Sequence, residues 1–185
     1  MKSELNYKSY LDRLMENKSG ELFTNAGDEH AAILMGKLFS HTSPKFEKVR
    51  MFCEGFKSDL IMREPYHTAL SDFLTRGGVL EVLVEDNESA NEKSLQYINQ
   101  LKEKGASITF KKITDDDKRA AFLEIPHYNF SVFGEEMFRF EYDPKDKKAL
   151  ASFNDIGRTK ALIEHFDSLF ENGGEVTLNS DKSVA

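Results

Sequence analysis

Arg139 and Glu141 stand two residues apart in Met137–Tyr142, a run whose alternation marks a β-strand. Side chains two apart on a strand share a face, so Glu141 can hold the guanidinium of Arg139. The pair has two readings. One is a same-face ion pair, worth under ~1 kcal/mol if exposed. The other is an anion-binding arginine, oriented by Glu141 and lying beside His127. His127-Tyr128-Asn129 opens the same segment, and Ser152-Phe153-Asn154 leads into its closing helix. A guanidinium donates hydrogen bonds to anions in a fixed fork, so Arg139 is a candidate anion-binding residue. Arg63 and His67 are two further groups that could face the same sheet edge.

Spacing excludes several other chemistries. Arg76-Gly77-Gly78-Val79 precedes a strand, whereas a dinucleotide fingerprint needs its glycines after one, so these glycines read as a helix stop. No Gly-rich loop ends in Gly-Lys-Ser/Thr, and nucleophile-elbow and two-cysteine metal patterns are absent. Glu164-His165 lacks a second histidine one helical turn on. His30, His41 and His165 read as surface or capping residues. Cys53 sits in an apolar run with Val49, Met51 and Phe52 and reads as a buried, inert thiol. Asp115-Asp116-Asp117 reads as a solvated loop or helix start rather than a metal site. No metal or organic cofactor is implied.

The elements that must position these groups follow from hydrophobic periodicity. Helices are expected over residues 4–18, 27–39, 64–75, 90–104 and 155–170, and Asn25 or Asp28 could cap the second. Strands are expected over 49–53, 79–84, 107–113, 130–133, 137–142 and 149–153. Val79–Val84 is almost continuously apolar, as a central strand covered on both faces should be. Gly134-Glu135-Glu136 makes a tight turn between the fourth and fifth strands. Strands alternating with helices point to an α/β fold, a sheet with covering helices. The expectation is one domain over residues 1–174 and a flexible polar tail over 175–185.

The segment from His127 to Phe170 resembles the catalytic half of the phospholipase D-like superfamily. That family's motif is His-x-Lys-x4-Asp, followed after a β-hairpin by Gly/Ser-Ser-x-Asn and a helix. The resemblance implies a mixed sheet covered by helices on both faces. It also implies that the histidine attacks phosphorus while Lys and Asn hold the non-bridging oxygens. His127 matches the nucleophile, but Asn129 stands where the Lys belongs and Gly134 where the Asp belongs. Ser152 and Asn154 match the Ser-x-Asn, one extra turn and strand later than in the family, and the resemblance makes Asn129, Ser152 and Asn154, with Arg139 beside them, the candidate phosphate- or anion-binding residues. A transition-state group of the kind lost with the Lys is worth ~3–4 kcal/mol. The resemblance therefore implies a degenerate, non-catalytic binding or regulatory domain with a phosphorylated ligand. Single-domain members pair two chains, which implies a homodimer. Two alternatives stand beside it. One is an active phosphodiesterase or nuclease with His127 as nucleophile. The other is an unrelated α/β protein-interaction module that presents the Phe-rich hairpin (Phe130, Phe133, Phe138, Phe140) to a protein partner.

Composition narrows the partners. The chain has 185 residues and a formal charge of −7, which disfavours nucleic acid at long range. A lone cysteine fits a reducing compartment. No stretch approaches the ~20 apolar residues of a membrane span, so the expected location is cytoplasmic, with no membrane partner.

Overall fold

A computed structural model describes residues 2–55, 57–85, 91–113 and 128–176. Its strands are β1 (Phe23–Asn25), β2 (Lys48–Cys53), β3 (Val79–Val84), β4 (Ser107–Lys112), β5 (Asn129–Phe133), β6 (Met137–Asp143), β7 (Lys148–Ser152) and β8 (Gly174–Glu175). They form one mixed sheet in the order β1-β7-β6-β5-β2-β3-β4-β8. The three strands β2, β3 and β4 run parallel, and the other pairings are antiparallel. Parallel neighbours need crossovers, which α3 (Tyr66–Thr75) and α4 (Glu92–Glu103) supply. Two earlier helices, α1 (Lys2–Glu16) and α2 (Asp28–His41), pack with them on one face, and α5 (Ile156–Asn172) covers the other.

Each face has its own core. The first joins Leu11, Leu38, Leu70, Phe73 and Ile98 of the helices to Val49, Leu80 and Val82 of the sheet. The second joins Phe52, Phe130, Phe138 and Phe140 to Leu162 and Phe166 of α5. β3 feeds both, with Leu80 and Val82 turned one way and Leu83 the other, which explains its continuous apolar run. Arg50 of β2 ties α5 down through a two-point bond to Asp167, at 2.7 and 3.1 Å. The helix ends follow from local chemistry. Asp155 accepts from the Arg158 N–H (3.0 Å) at the start of α5, and Asn91 accepts from Ser94 (3.1 Å) at the start of α4. Gly105, at φ 90°, closes α4 in a conformation that a side chain would oppose.

Three details differ from the sequence expectation. β1 is an added strand, too short for alternation to register, and it pairs Phe23 with Ala151 and Asn25 with Ala149. Asn25 is therefore a strand residue and no helix cap; Gly27 precedes α2, without a side-chain cap. Glu175, expected to begin the tail, pairs with Lys111 at the far edge of the sheet.

Strand direction sets up the site. The C-terminal end of β2 lies beside the N-terminal end of β5, because Phe52 pairs with Phe130. Asn129 then pairs with Glu141, Glu141 with Ala149, and Ala149 with Asn25. One end of the sheet thus gathers the ends of five strands.

Candidate functional site

On the face shared with α2 and α3, this end carries a connected set of buried polar side chains. Arg139 and Glu141 are 5% and 4% exposed, and their side chains meet at 2.8 Å through Nη2 and Oε1. The other carboxylate oxygen of Glu141 accepts from Asn129 Nδ2 at 2.6 Å, and Asn129 Oδ1 accepts from the Glu54 N–H at 2.8 Å. Arg139 Nε donates to Asn25 Oδ1 at 3.2 Å, and Asn25 Nδ2 donates on to the Lys147 carbonyl at 2.8 Å. Asn25 is only 2% exposed. Charges this buried persist only when paired and hydrogen-bonded, and here both conditions are met. The pair is thus an ion pair, but a buried one in a network rather than an exposed one of little worth.

The network floors a cavity of about 360 Å³. Met35, Met51, Leu60, Ile61 and Tyr66 form its apolar wall. Ser131, 6% exposed, lies directly across from Arg139 and lines the cavity, and its hydroxyl makes no hydrogen bond among the described residues. At the mouth, the turn at residues 144–147 contributes Lys145 and Lys147, and the loop after β2 contributes Glu54 and Lys57, themselves paired at 2.7 Å. Lys147 holds a left-handed backbone, φ 53°, which is uncommon away from glycine. Its carbonyl bond to Asn25 helps to hold that turn over the cavity. Burial, then the nearby Glu141 carboxylate, pushes the Cys53 thiol up to about 12, so this cavity-lining sulfur stays protonated and a poor nucleophile. Burial also raises the Tyr66 phenol, keeping it neutral.

No family model matches the chain, and no curated protein resembles it in sequence. Solved structures do resemble it. Nuc from Salmonella typhimurium, a phospholipase D family member, superposes with a TM-score of 0.58 at 15% identity, over 84% of this chain and 99% of Nuc. The fold is phospholipase D-like. TrmBL2, an archaeal chromatin protein with a novel mode of DNA binding, superposes at 0.56 and 12% identity over 95% of this chain and 62% of its own. Polyphosphate kinase from Porphyromonas gingivalis superposes at 0.53 and 12% identity over 87% of this chain and 29% of its own. This chain therefore spans less than two thirds of the last two.

Within this phospholipase D-like fold the candidate residues fall into two groups. Asn129, Arg139 and Glu141 come together at the cavity. Ser152 and Asn154 do not join them. The extra strand β7 reverses the chain once more and carries both residues back to the hairpin end of the sheet. Ser152 pairs with Phe138, three residues along β6 from Glu141, or about 10 Å at the strand rise. It also shares the face of Phe138, which packs under α5, so it lies on the opposite side of the sheet from Arg139. Its hydroxyl accepts from the Asn154 N–H at 3.3 Å, while Asn154 Nδ2 donates to the Lys18 carbonyl at 2.9 Å. The adjoining Asp155 N–H bonds the Glu136 carbonyl of the hairpin turn, at 2.8 Å. Groups separated this way cannot hold one phosphate with Asn129, since each must reach it at hydrogen-bond range.

His127 and Asp115–Asp117 lie outside the described residues. Arg63 turns instead to Asp28 (3.1 Å), and His67 stacks on Tyr97 with ring centroids 4.2 Å apart; neither lines the cavity. Asn25, Ser131, Lys145 and Lys147 were not singled out from sequence as site residues. Ser131 was within reach, because it alternates onto the face of Asn129. Asn25 was not, because its link to Arg139 spans 114 residues. Among the described residues, no group of three histidine, cysteine or carboxylate side chains could hold a metal ion, and no helix is long and apolar enough to cross a membrane.

Proposed function

We propose that this chain is a non-catalytic binding or regulatory domain on a phospholipase D-like scaffold, and that its cavity takes a small phosphorylated ligand. The observation that carries this reading is the charge of the cavity lining. In a chain of net charge −7, four cations (Lys57, Arg139, Lys145, Lys147) surround the cavity against two carboxylates (Glu54, Glu141). An anion is thereby favoured locally although disfavoured at long range. The non-catalytic half of the reading draws on Asn129. At the position of the family's Lys it supplies no cation, and its amide is committed to Glu141 and to the Glu54 N–H. TrmBL2 is described as binding DNA; the acidic charge of this chain favours a small ligand over a duplex.

Isothermal titration of the full chain with a panel of phosphorylated metabolites tests the binding half, and absence of any binding sinks it. A chromogenic phosphodiester tests the other half. The expected outcome is no turnover; turnover that disappears in His127→Ala overturns it and restores the phosphodiesterase alternative. A homodimer of single-domain chains in the cytoplasm, each domain running through β8, completes the proposal. Sedimentation velocity that finds only monomer at micromolar concentration removes the dimer from it.

A further inference from the structure

We propose, resting on the ligand reading above, that the cavity is read in two parts. The ligand's phosphate lies at the mouth on Lys145 and Lys147, and an uncharged hydrogen-bonding body fills the floor against Arg139 and Ser131. The ligand class is a phosphomonoester of a compact neutral molecule bearing hydroxyl or amide groups.

Charge separates the two parts. Arg139 is the only cation at the floor among the described residues, and Glu141 already balances it at 2.8 Å. A phosphate seated there would meet a carboxylate 4% exposed as well as the guanidinium, and the two fields oppose each other at nearly the same distance. The mouth is different. Lys145 forms no ion pair among the described residues, and Lys147 Nζ bonds only the Pro144 carbonyl, at 2.9 Å. Lys57 is offset by Glu54. The net positive charge of the lining therefore sits on Lys145 and Lys147, while the neighbouring Asp143 and Asp146 pair with Lys148 at 3.2 and 2.8 Å.

The floor offers hydrogen bonds rather than charge. Ser131 is buried and unengaged, and Arg139 Nη1 makes no hydrogen bond among the described residues. Their strands pair them directly, which sets their Cβ atoms ~4.5–5.5 Å apart. A neutral group with both donors and acceptors satisfies this pair without adding charge. Size requires such a body, because about 360 Å³ is the volume of a small-molecule site and far exceeds a bare phosphate. The wall of Met35, Met51 and Leu60 can cover its less polar side. Asn25 joins the two parts mechanically, since one amide oxygen takes Arg139 Nε and its nitrogen takes the Lys147 carbonyl.

The test uses the full chain, nuclear magnetic resonance and calorimetry. Inorganic phosphate should shift the amides of Lys145 and Lys147 and leave Arg139 Nε unmoved. Triose, pentose and hexose phosphates and nucleoside monophosphates are then titrated beside their unphosphorylated counterparts. At least one ester should bind tenfold or more tighter than both inorganic phosphate and its own neutral body. Lys145→Ser with Lys147→Asn, asparagine being tolerant of the left-handed backbone, should weaken that ester at least tenfold and flatten its salt dependence. Ser131→Ala should weaken the ester severalfold and leave inorganic phosphate unchanged. Phosphate that shifts Arg139 Nε, or ester binding indifferent to the lysine variant, overturns the two-part reading while leaving a phosphorylated ligand in place. Binding by no member of the panel overturns both.

Discussion

The two ends of β6 and β7 carry similar side chains and do opposite things. At one end Asn129, Arg139 and Glu141 turn inward, share hydrogen bonds and floor a cavity. At the other, Ser152 and Asn154 spend their polar groups on a backbone turn and on the Lys18 carbonyl. Ser152 and Asn154 match the motif that the sequence suggested, whereas Asn129 departs from it and Arg139 and Glu141 lie outside it, yet only the second set lines the cavity. The lesson is that a motif is a statement about strand count as well as spacing. Here β7 turns the chain back once more, and leaves Ser152 three residues along the sheet from Glu141 and on the opposite face from Arg139.

The contrast predicts unequal costs. Glu141→Ala leaves Arg139 buried without its counter-charge and should cost ~3–5 kcal/mol in urea unfolding followed by circular dichroism. The double replacement Arg139→Met with Glu141→Leu should cost clearly less than Glu141→Ala alone, because no lone charge remains. If the single and double variants are equally damaged, the pair is not the buried unit described here. Asn25→Ala comes next. It strands Arg139 Nε and the Lys147 carbonyl, at ~1–3 kcal/mol, and should also weaken any cavity ligand by loosening the 144–147 turn. At the other end, Asn154→Ala loses one exposed bond and should cost about 1 kcal/mol or less, with no effect on ligand binding. An Asn154→Ala variant that abolishes binding while folded would erase the distinction between the two ends.

The smallest expected effect concerns pH and compares the two faces. Arg139 and Glu141 are buried as an ion pair, whereas His165 is half-buried beside Phe52 and Phe130, its ring 3.2 Å from the Tyr128 hydroxyl. Burial lowers the His165 pKa below its ordinary 6.5. The unfolded chain then takes up a proton that the folded chain holds off. The contribution is complete above the ordinary pKa and is lost as pH falls below it. Urea midpoints should therefore drop between pH 7.5 and 5.5, and His165→Gln should flatten that slope. An unchanged slope would mean that another group titrates there.

Much of the fold was legible locally. The apolar run of Val79–Val84, the stripes of α3 and α5 and the Gly105 stop each follow from propensity and period within a few residues. So did the shared face of Arg139 and Glu141, because alternation holds on any strand whatever its neighbours. β1 was invisible, since three residues give no periodic signal and Phe23–Asn25 is a strand only because β7 pairs with it. The fates of Asn129 and Asn154 were equally unreadable. An amide's role depends on which backbone groups arrive beside it, and Glu54 and Lys18 arrive from 75 and 136 residues away.

By itself, then, the sequence determined the five helices and six of the strands, the α/β class and the shared face of one arginine and one glutamate. These rest on forces that act between residues a few positions apart. Only the tertiary structure decided that the pair would be buried, that Asn25 would bind it to the lysine turn, and that Ser152 and Asn154 would be carried away. Those outcomes depend on strand order and direction, which are settled by burying two cores at once rather than by any single segment.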